Sequence, residues 1–152
     1  MEKAEGQVDP IDTQHMALAL EEAKQGLAEG GFPVGAVLAR GQTVLAQGHN
    51  LTAQLGDPTA HGETVCLRGA PDGDLSDATL YSTLSPCIMC AGTILWLGVG
   101  RVVIGDAQHY TGNESFLEQN GVDVLVQNDE ACLALFRTYL QDNPDKQSLL
   151  AP

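Results

Sequence analysis

The chain has 152 residues, with 20 acidic against 7 basic side chains and a formal net charge of −13. That is the size of one domain, taken here as residues 1–152, able to bury a substantial core, and no apolar run approaches the ~18 residues of a membrane span. Nucleic-acid affinity comes largely from Lys and Arg on phosphates; Lys24, Arg40, Arg68, Arg101, Arg137 and Lys146 are too scattered for a basic stripe, so a polynucleotide partner is disfavoured.

Residues 1–11 read as a loose arm, and the polar start Met1–Pro10 lacks a signal-peptide core, so the expected location is cytoplasmic. Asp12 or Thr13 can cap a helix in which Met16, Leu20, Ala23 and Leu27 share one face, opposite Glu21, Glu22, Lys24 and Gln25, until Gly30-Gly31 ends it. Pro33–Ala39 and Thr43–Gly48 read as a hairpin turning at Gly41, and Asn50–Ala60 as loop. A helix runs from His61 to near Gly69, and a turn-rich connector, Ala70–Asp77, leads to a strand over Ala78–Leu84. The next helix, Pro86–Leu97, is apolar nearly all round, which predicts burial by the sheet, by other helices or by a second subunit. Arg101–Gly105 is a strand, Asp106–Gly112 a loop, Asn113–Asn120 a short helix, Val122–Val126 a strand and Glu130–Gln141 an amphipathic helix. Alternating helices and strands with no repeat or linker predict a layered α/β domain with helices on both faces of one sheet.

Cys87 and Cys90 lie three apart on one face of a helix, and Ser85-Pro86 ahead of them suits an N-cap and first helical position. Near a helix N-terminus unpaired N–H groups and the dipole favour thiolate, the metal-binding form. His61 and Glu63 are the types needed for a third ligand and a base. Positions i and i+2 point about 200° apart on a helix, so this pair can converge only at a helix tip. Two helix N-termini are therefore expected to face one metal, which with one His and two Cys ligands keeps a tetrahedral position open for water. A lone Cys-x-x-Cys also fits a redox pair or a structural zinc knuckle. Structural zinc wants four ligands, however, and Cys66 and Cys132 stand at no ligand spacing and read as buried apolar fillers. His15, His49 and His109 likewise read as surface or structural residues.

His-x-Glu followed by Pro-Cys-x-x-Cys is the signature of the zinc deaminases. The likeness extends from Glu29-Gly30-Gly31-Phe32-Pro33-Val34-Gly35 through Gly48-His49-Asn50, His61-Gly62-Glu63-Thr64 and Leu80-Tyr81-Ser82-Thr83-Leu84-Ser85-Pro86-Cys87 to about Pro144. Over that length the chain resembles the fungal-type cytosine deaminases of the cytidine deaminase-like superfamily. The resemblance implies a three-layer α/β/α fold with a central five-stranded mixed sheet, a homodimer, one Zn2+ per chain and conversion of cytosine to uracil and ammonia. It further implies His61, Cys87 and Cys90 as zinc ligands and Glu63 as proton shuttle. Asn50 and the Gly62 N–H would hold the ring's carbonyl edge, the Ser85 carbonyl would accept from the leaving amine, and Tyr110 would cover the base. Apart from the resemblance, Asn50 also suits a turn and Tyr110 a core position. Fungal-type enzymes close the pocket with a C-terminal segment carrying Trp and an acidic substrate contact; here the matching stretch is Asp145-Lys146-Gln147-Ser148-Leu149-Leu150-Ala151-Pro152, which lacks that contact. Losing a buried acceptor weakens discrimination, so guanine, isocytosine and creatinine stand beside cytosine as substrates. The rival class is a zinc-stabilised binding protein without turnover.

Overall fold

A computed structural model describes residues 9–146. Residues 1–8 of the expected arm and 147–152 of the expected pocket-closing stretch lie outside the described residues.

The first helix, α1 (Pro10–Ala28), starts earlier than expected, because Asp9 is the cap and accepts from the Ile11 N–H at 2.9 Å, with Pro10 just inside. Residues 9–11 thus belong to the helix and not to an arm. Asp12 is drawn inward instead, taking the Tyr81 hydroxyl at 2.7 Å and both Arg101 nitrogens at 2.9 and 2.8 Å. The buried stripe is Asp12, His15, Met16, Ala19, Ala23 and Gly26, and Leu27 is 38% exposed. Its small residues let α1 press on the sheet: a Cβ at Gly35 would meet the Ala19 carbonyl oxygen at 2.1 Å.

The strands β1 (Gly35–Arg40) and β2 (Thr43–His49) form the expected hairpin, turning through Gly41 at φ +59°. The expected loop after it contains a helical turn, α2 (Thr52–Leu55), closed by Gly56 at φ +63°. Then come α3 (Gly62–Arg68), β3 (Thr79–Ser82), α4 (Ile88–Leu97), β4 (Arg101–Ile104), α5 (Glu114–Gln119), β5 (Asp123–Val126) and α6 (Glu130–Asp142). The sheet order is β2-β1-β3-β4-β5, with β1 antiparallel to both neighbours and β3, β4 and β5 parallel. Parallel neighbours need crossovers, and α4 and α5 supply them.

Side-chain alternation sorts the two faces. Ala36, Leu38, Leu80, Val102 and Ile104 pack with Cys66 and Leu67 of α3, Ala91 and Ile94 of α4 and Leu117 of α5. Val37, Ala39, Tyr81 and Val103 pack with Met16 and Ala19 of α1 and Cys132 of α6. The molecule is therefore a three-layer α/β/α sandwich around a five-stranded mixed sheet, and β3 carries residues 80 and 82 toward the α3–α4 layer.

Two expectations about α4 are corrected. Its cap is Cys87 and it begins at Ile88, so Ser85 is not the N-cap and Pro86 is not the first helical residue. The Ser85 N–H is taken by the Asp106 carbonyl at 2.9 Å, its hydroxyl by Glu114 at 3.0 Å, and the Pro86 carbonyl by Asn113 Nδ2 at 3.1 Å, which holds both residues out of the helix. Nor does the chain alone enclose the helix: Cys90, Ala91 and Ile94 are buried, whereas Ile88 is 61% and Trp96 88% exposed.

Candidate metal centre and active site

Two helix starts meet beside β3. His61 is the N-cap of α3 and Cys87 that of α4, both with extended backbone, and Cys90 follows in the first turn of α4. His61 Nδ1 lies 3.4 Å from Cys87 Sγ and 3.7 Å from Cys90 Sγ, and the three ligand atoms all fall within 4.8 Å of one another. With Zn–N of about 2.05 Å and Zn–S of about 2.3 Å, a tetrahedral ion sets such N···S separations at about 3.6 Å. The donor set and its spacing fit zinc. Cys66 and Cys132 are buried free thiols elsewhere in the core, and burial pushes Cys66 up to about 12 and Cys132 well above a thiol's usual range.

The hydrogen bond from Cys90, with further help from His61, holds Cys87 down at about 4 against the cost of burial, and the same pairing, together with burial, pushes Cys90 up. The contact with Cys87 also raises His61.

Glu63 is 3% exposed beneath the triad. One carboxylate oxygen takes the Ser82 hydroxyl at 2.7 Å, and the other faces Cys90 Sγ at 3.3 Å. Burial pushes its carboxyl up, and the Ser82 hydrogen bond partly offsets this. The Ser82 hydroxyl lies 2.7 Å from the Leu84 carbonyl as well, so its single proton serves one acceptor at a time.

The wall beside the triad is built by short, specific contacts. A Cβ at Gly62 would stand 2.9 Å from the Val34 carbonyl oxygen, which also accepts from the Asn50 N–H at 2.9 Å. Leu51 N–H reaches the Ala60 carbonyl at 2.9 Å, tying the Asn50 turn to the start of α3. Asn50 is 7% exposed, and its Oδ1 accepts from the Thr52 N–H at 3.0 Å and the Thr52 hydroxyl at 2.7 Å. A backbone donor fixes which end of the amide is oxygen, so Nδ2 is the group left to present.

Across the site, the carbonyl of Ser85 accepts no hydrogen bond among the described residues, although its N–H and hydroxyl are both engaged. Glu114 organises this side by accepting from Ser85 at 3.0 Å, Thr111 at 2.5 Å and the Gly112 N–H at 2.9 Å. Burial opposes its charge, but these donors together hold its carboxyl below the usual value. Tyr110 packs against the Val34, Leu84 and Phe136 cluster, and burial, then the neighbouring Cys87, pushes its phenol up. Asp106, fully buried, holds the same loop through the Gln108 and His109 N–H groups at 2.9 and 3.0 Å and His109 Nδ1 at 2.6 Å.

The structure thus gathers His61, Cys87, Cys90, Glu63 and Gly62 at the two helix tips, with Asn50 tied to the Gly62 end through the Val34 carbonyl, Ser85 just ahead of Cys87 and Tyr110 near Cys87. Sequence reading did not single out Ser82, Glu114 or Asp106. Ser82 is the one with a visible signal, since alternation along β3 puts it on the same face as Leu80.

Comparison with known proteins agrees with this centre. The model of the cytidine and deoxycytidylate deaminase zinc-binding region matches residues 10–106. A cytosine deaminase of Candida albicans is 40% identical over 137 residues, 88% of this chain and 91% of the relative. A tRNA-specific adenosine deaminase of Haemophilus influenzae is 42% identical over 107 residues, 67% of this chain and 62% of the relative. The solved structure of a guanine deaminase from Bacillus subtilis superposes with a TM-score of 0.56 at 29% identity, covering 73% of this chain and 71% of that one. The chain belongs to the family of the cytidine and deoxycytidylate deaminase zinc-binding region and is a zinc-dependent hydrolytic deaminase.

Proposed function

We propose that the chain deaminates a free nucleobase, cytosine foremost, with release of uracil and ammonia. The observation that carries the reading is a buried carboxylate, Glu63, set against the His-Cys-Cys cluster, with the Gly62 N–H, Asn50 Nδ2 and the Ser85 carbonyl free of hydrogen bonds among the described residues. Identity of 40% to a cytosine deaminase over nearly the whole chain supports the choice of base. The formal charge of −13 argues against a tRNA substrate.

His61, Cys87 and Cys90 hold the metal. Zinc there supplies a water acidified toward neutral pH and a Lewis acid beside the amine-bearing carbon. Glu63, beside the metal ligands, would take one proton of the incoming water and deliver it to the ring nitrogen beside the attacked carbon, then take the water's second proton and pass it to the departing amine, which leaves as ammonia. Asn50 Nδ2 and the Gly62 N–H donate to the base's carbonyl edge. The Ser85 carbonyl accepts from the amine and so favours an amino over an oxo substituent there. Tyr110 lies over the ring and limits water. The bound amine and carbonyl occupy opposite flanks, which fixes which carbon faces the metal.

A second copy of the chain is the expected partner. Met89, Thr93, Trp96 and Leu97 line, with Thr59, Thr64, Leu67 and Arg68, an exposed groove of about 390 Å³. Large exposed aromatics concentrate at such contacts, so a homodimer through α4 is the assembly proposed. Free buried thiols suit a reducing compartment such as the cytoplasm, and no described helix is long and apolar enough to cross a membrane.

The deciding experiment is ammonia release across free bases, nucleosides and small cyclic amidines, ranked by kcat/KM, with zinc content measured on the same protein. Cytosine should lead and cytidine fail, with about one zinc per chain that Cys87→Ser/Cys90→Ser loses. Guanine is the second reading, favoured by the 29% identity to a guanine deaminase. Inert cytosine beside active guanine or creatinine would overturn the substrate and keep the reaction. No ammonia from any base would favour a zinc-stabilised binding protein.

A further inference from the structure

His49, the last residue of β2, precedes Asn50 and sits between two carboxylates. Its Nδ1 lies 2.5 Å from Glu22 Oε2 and its Nε2 2.9 Å from Glu29 Oε1. An ionised carboxylate can only accept, so both contacts are made together only when each ring nitrogen bears a proton. The surroundings hold that arrangement. Gln47 donates to Glu22 at 3.0 Å, and Gln25 and Gln54 donate to Glu29 at 2.9 and 3.1 Å. The His49 and Glu22 side chains are 14% and 17% exposed. A Cβ at Gly26 would stand 3.1 Å from the imidazole, and one at Gly31 would stand 2.6 Å from the Gln54 amide, so these two glycines leave the cluster its room.

The charged groups facing the ring are few. α1 contributes Glu22 and its C-cap Glu29, and the nearby cation Lys24 is turned to Glu21 at 3.3 Å on the exposed side. α2 contributes the uncharged Gln54, and α3 the buried Cys66 thiol behind Gly48. Burial disfavours the imidazolium, yet the two carboxylates outweigh it and raise His49 above 6.5.

Glu29 therefore brackets Asn50. It binds His49, the residue before, and Gln54, four residues after, while the Asn50 amide oxygen is tied to Thr52 within the same turn. We propose that His49 is a positioning residue: held as an imidazolium between Glu22 and Glu29, it sets the turn that aims Asn50 Nδ2 at the substrate's carbonyl. This rests on the reading of Asn50 as a substrate contact given above.

The test uses the zinc-loaded protein, His49→Gln and Glu29→Gln. In His49→Gln, which spans only one carboxylate and carries no charge, KM for cytosine rises about tenfold while kcat stays within about threefold and zinc content is unchanged. In the wild type the clasp holds below the raised pKa and opens above it, so KM climbs on the alkaline side. Glu29→Gln keeps the shape and removes one charge, moving that climb down by about one pH unit. NMR reads the clasp without turnover: the His49 ring should keep both protons to a higher pH than an ordinary imidazole, and the Asn50 side-chain amide and Gly62 N–H should shift with its titration. A protein that turns over no base but shows these shifts loses the proposed substrate and keeps the clasp. A His49 ring that loses its second proton at or below the ordinary imidazole range, or a KM untouched in both variants with only a lower Tm, overturns the proposal. If His49→Gln does not fold, Glu29→Gln, on a side chain 34% exposed, decides alone.

Discussion

Replacing Ser82 by Ala removes one buried hydroxyl from behind Glu63. The Glu63 carboxylate faces two side-chain groups, the Ser82 hydroxyl at 2.7 Å and the Cys90 sulfur at 3.3 Å. A cysteine that ligates zinc is a thiolate and has no proton to give, so in the loaded enzyme Ser82 is the side-chain donor that remains. A hydrogen bond to a buried charged group contributes about 1.5–3 kcal/mol. Taking the loss as about 2 kcal/mol, and about 1.4 kcal/mol per decade, kcat falls about thirtyfold. The binding contacts of Asn50, Gly62 and Ser85 are untouched, so KM changes little. Without a donor to its charged form Glu63 rises further, and the acid limb of the pH profile moves to higher pH. Steady-state ammonia release measured beside zinc content reads all three, and Ser82→Thr, which keeps the hydroxyl, should stay within about threefold in kcat of the parent. A fully zinc-loaded Ser82→Ala with unchanged kcat and an unmoved acid limb would refute the reasoning.

Glu114→Gln loses the charge that gathers Ser85, Thr111 and Gly112, and kcat/KM for cytosine should drop about tenfold. Since the Glu114 carboxyl lies below 4.5 in the fold, it stabilises the protein above that pH and the benefit is lost as pH falls through the lowered value; the variant's thermal midpoint should depend less on acid. Gly62→Ala drives a Cβ to within 2.9 Å of the Val34 carbonyl that holds Asn50, so stability falls by about 1–3 kcal/mol and KM rises, as denaturant titration and kinetics would show. Light scattering should find twice the 16.0 kDa of one chain, and Trp96→Glu should shift the particle toward the monomer; a 16.0 kDa wild-type particle across concentrations counts against the dimer.

Much of the centre was legible because it is local. The spacing of Cys87 and Cys90, and the impossibility of placing His61 and Glu63 on one helix flank, forced both pairs to helix tips, which is where the structure puts them. The two layers of the core, by contrast, became visible only in the structure, where β1, β3 and β4 send alternate residues to opposite faces. The failures share one cause, a distant partner overriding a local rule. Asp12 looked like a cap and instead meets Tyr81 and Arg101, 69 and 89 residues away. Ser85 looked like a cap and is claimed by Asp106 and Glu114. The reading of His49 as a surface or structural residue agrees with the structure, but its partners, Glu22 in α1 and Glu29 at the helix's C-cap, lie 27 and 20 residues earlier, a pairing no spacing rule reveals.

The most direct measurement is ammonia release from cytosine by Glu63→Ala with its metal content determined in the same sample. Neither ligand contact of the triad involves this side chain, so the variant should keep about one zinc per chain and lose turnover by at least about a thousandfold, since general acid–base catalysis contributes ~10²–10⁴-fold and the proposed mechanism routes every proton transfer through Glu63. A zinc-replete Glu63→Ala protein that still released ammonia from cytosine at a rate near the parent's would contradict the account at its centre.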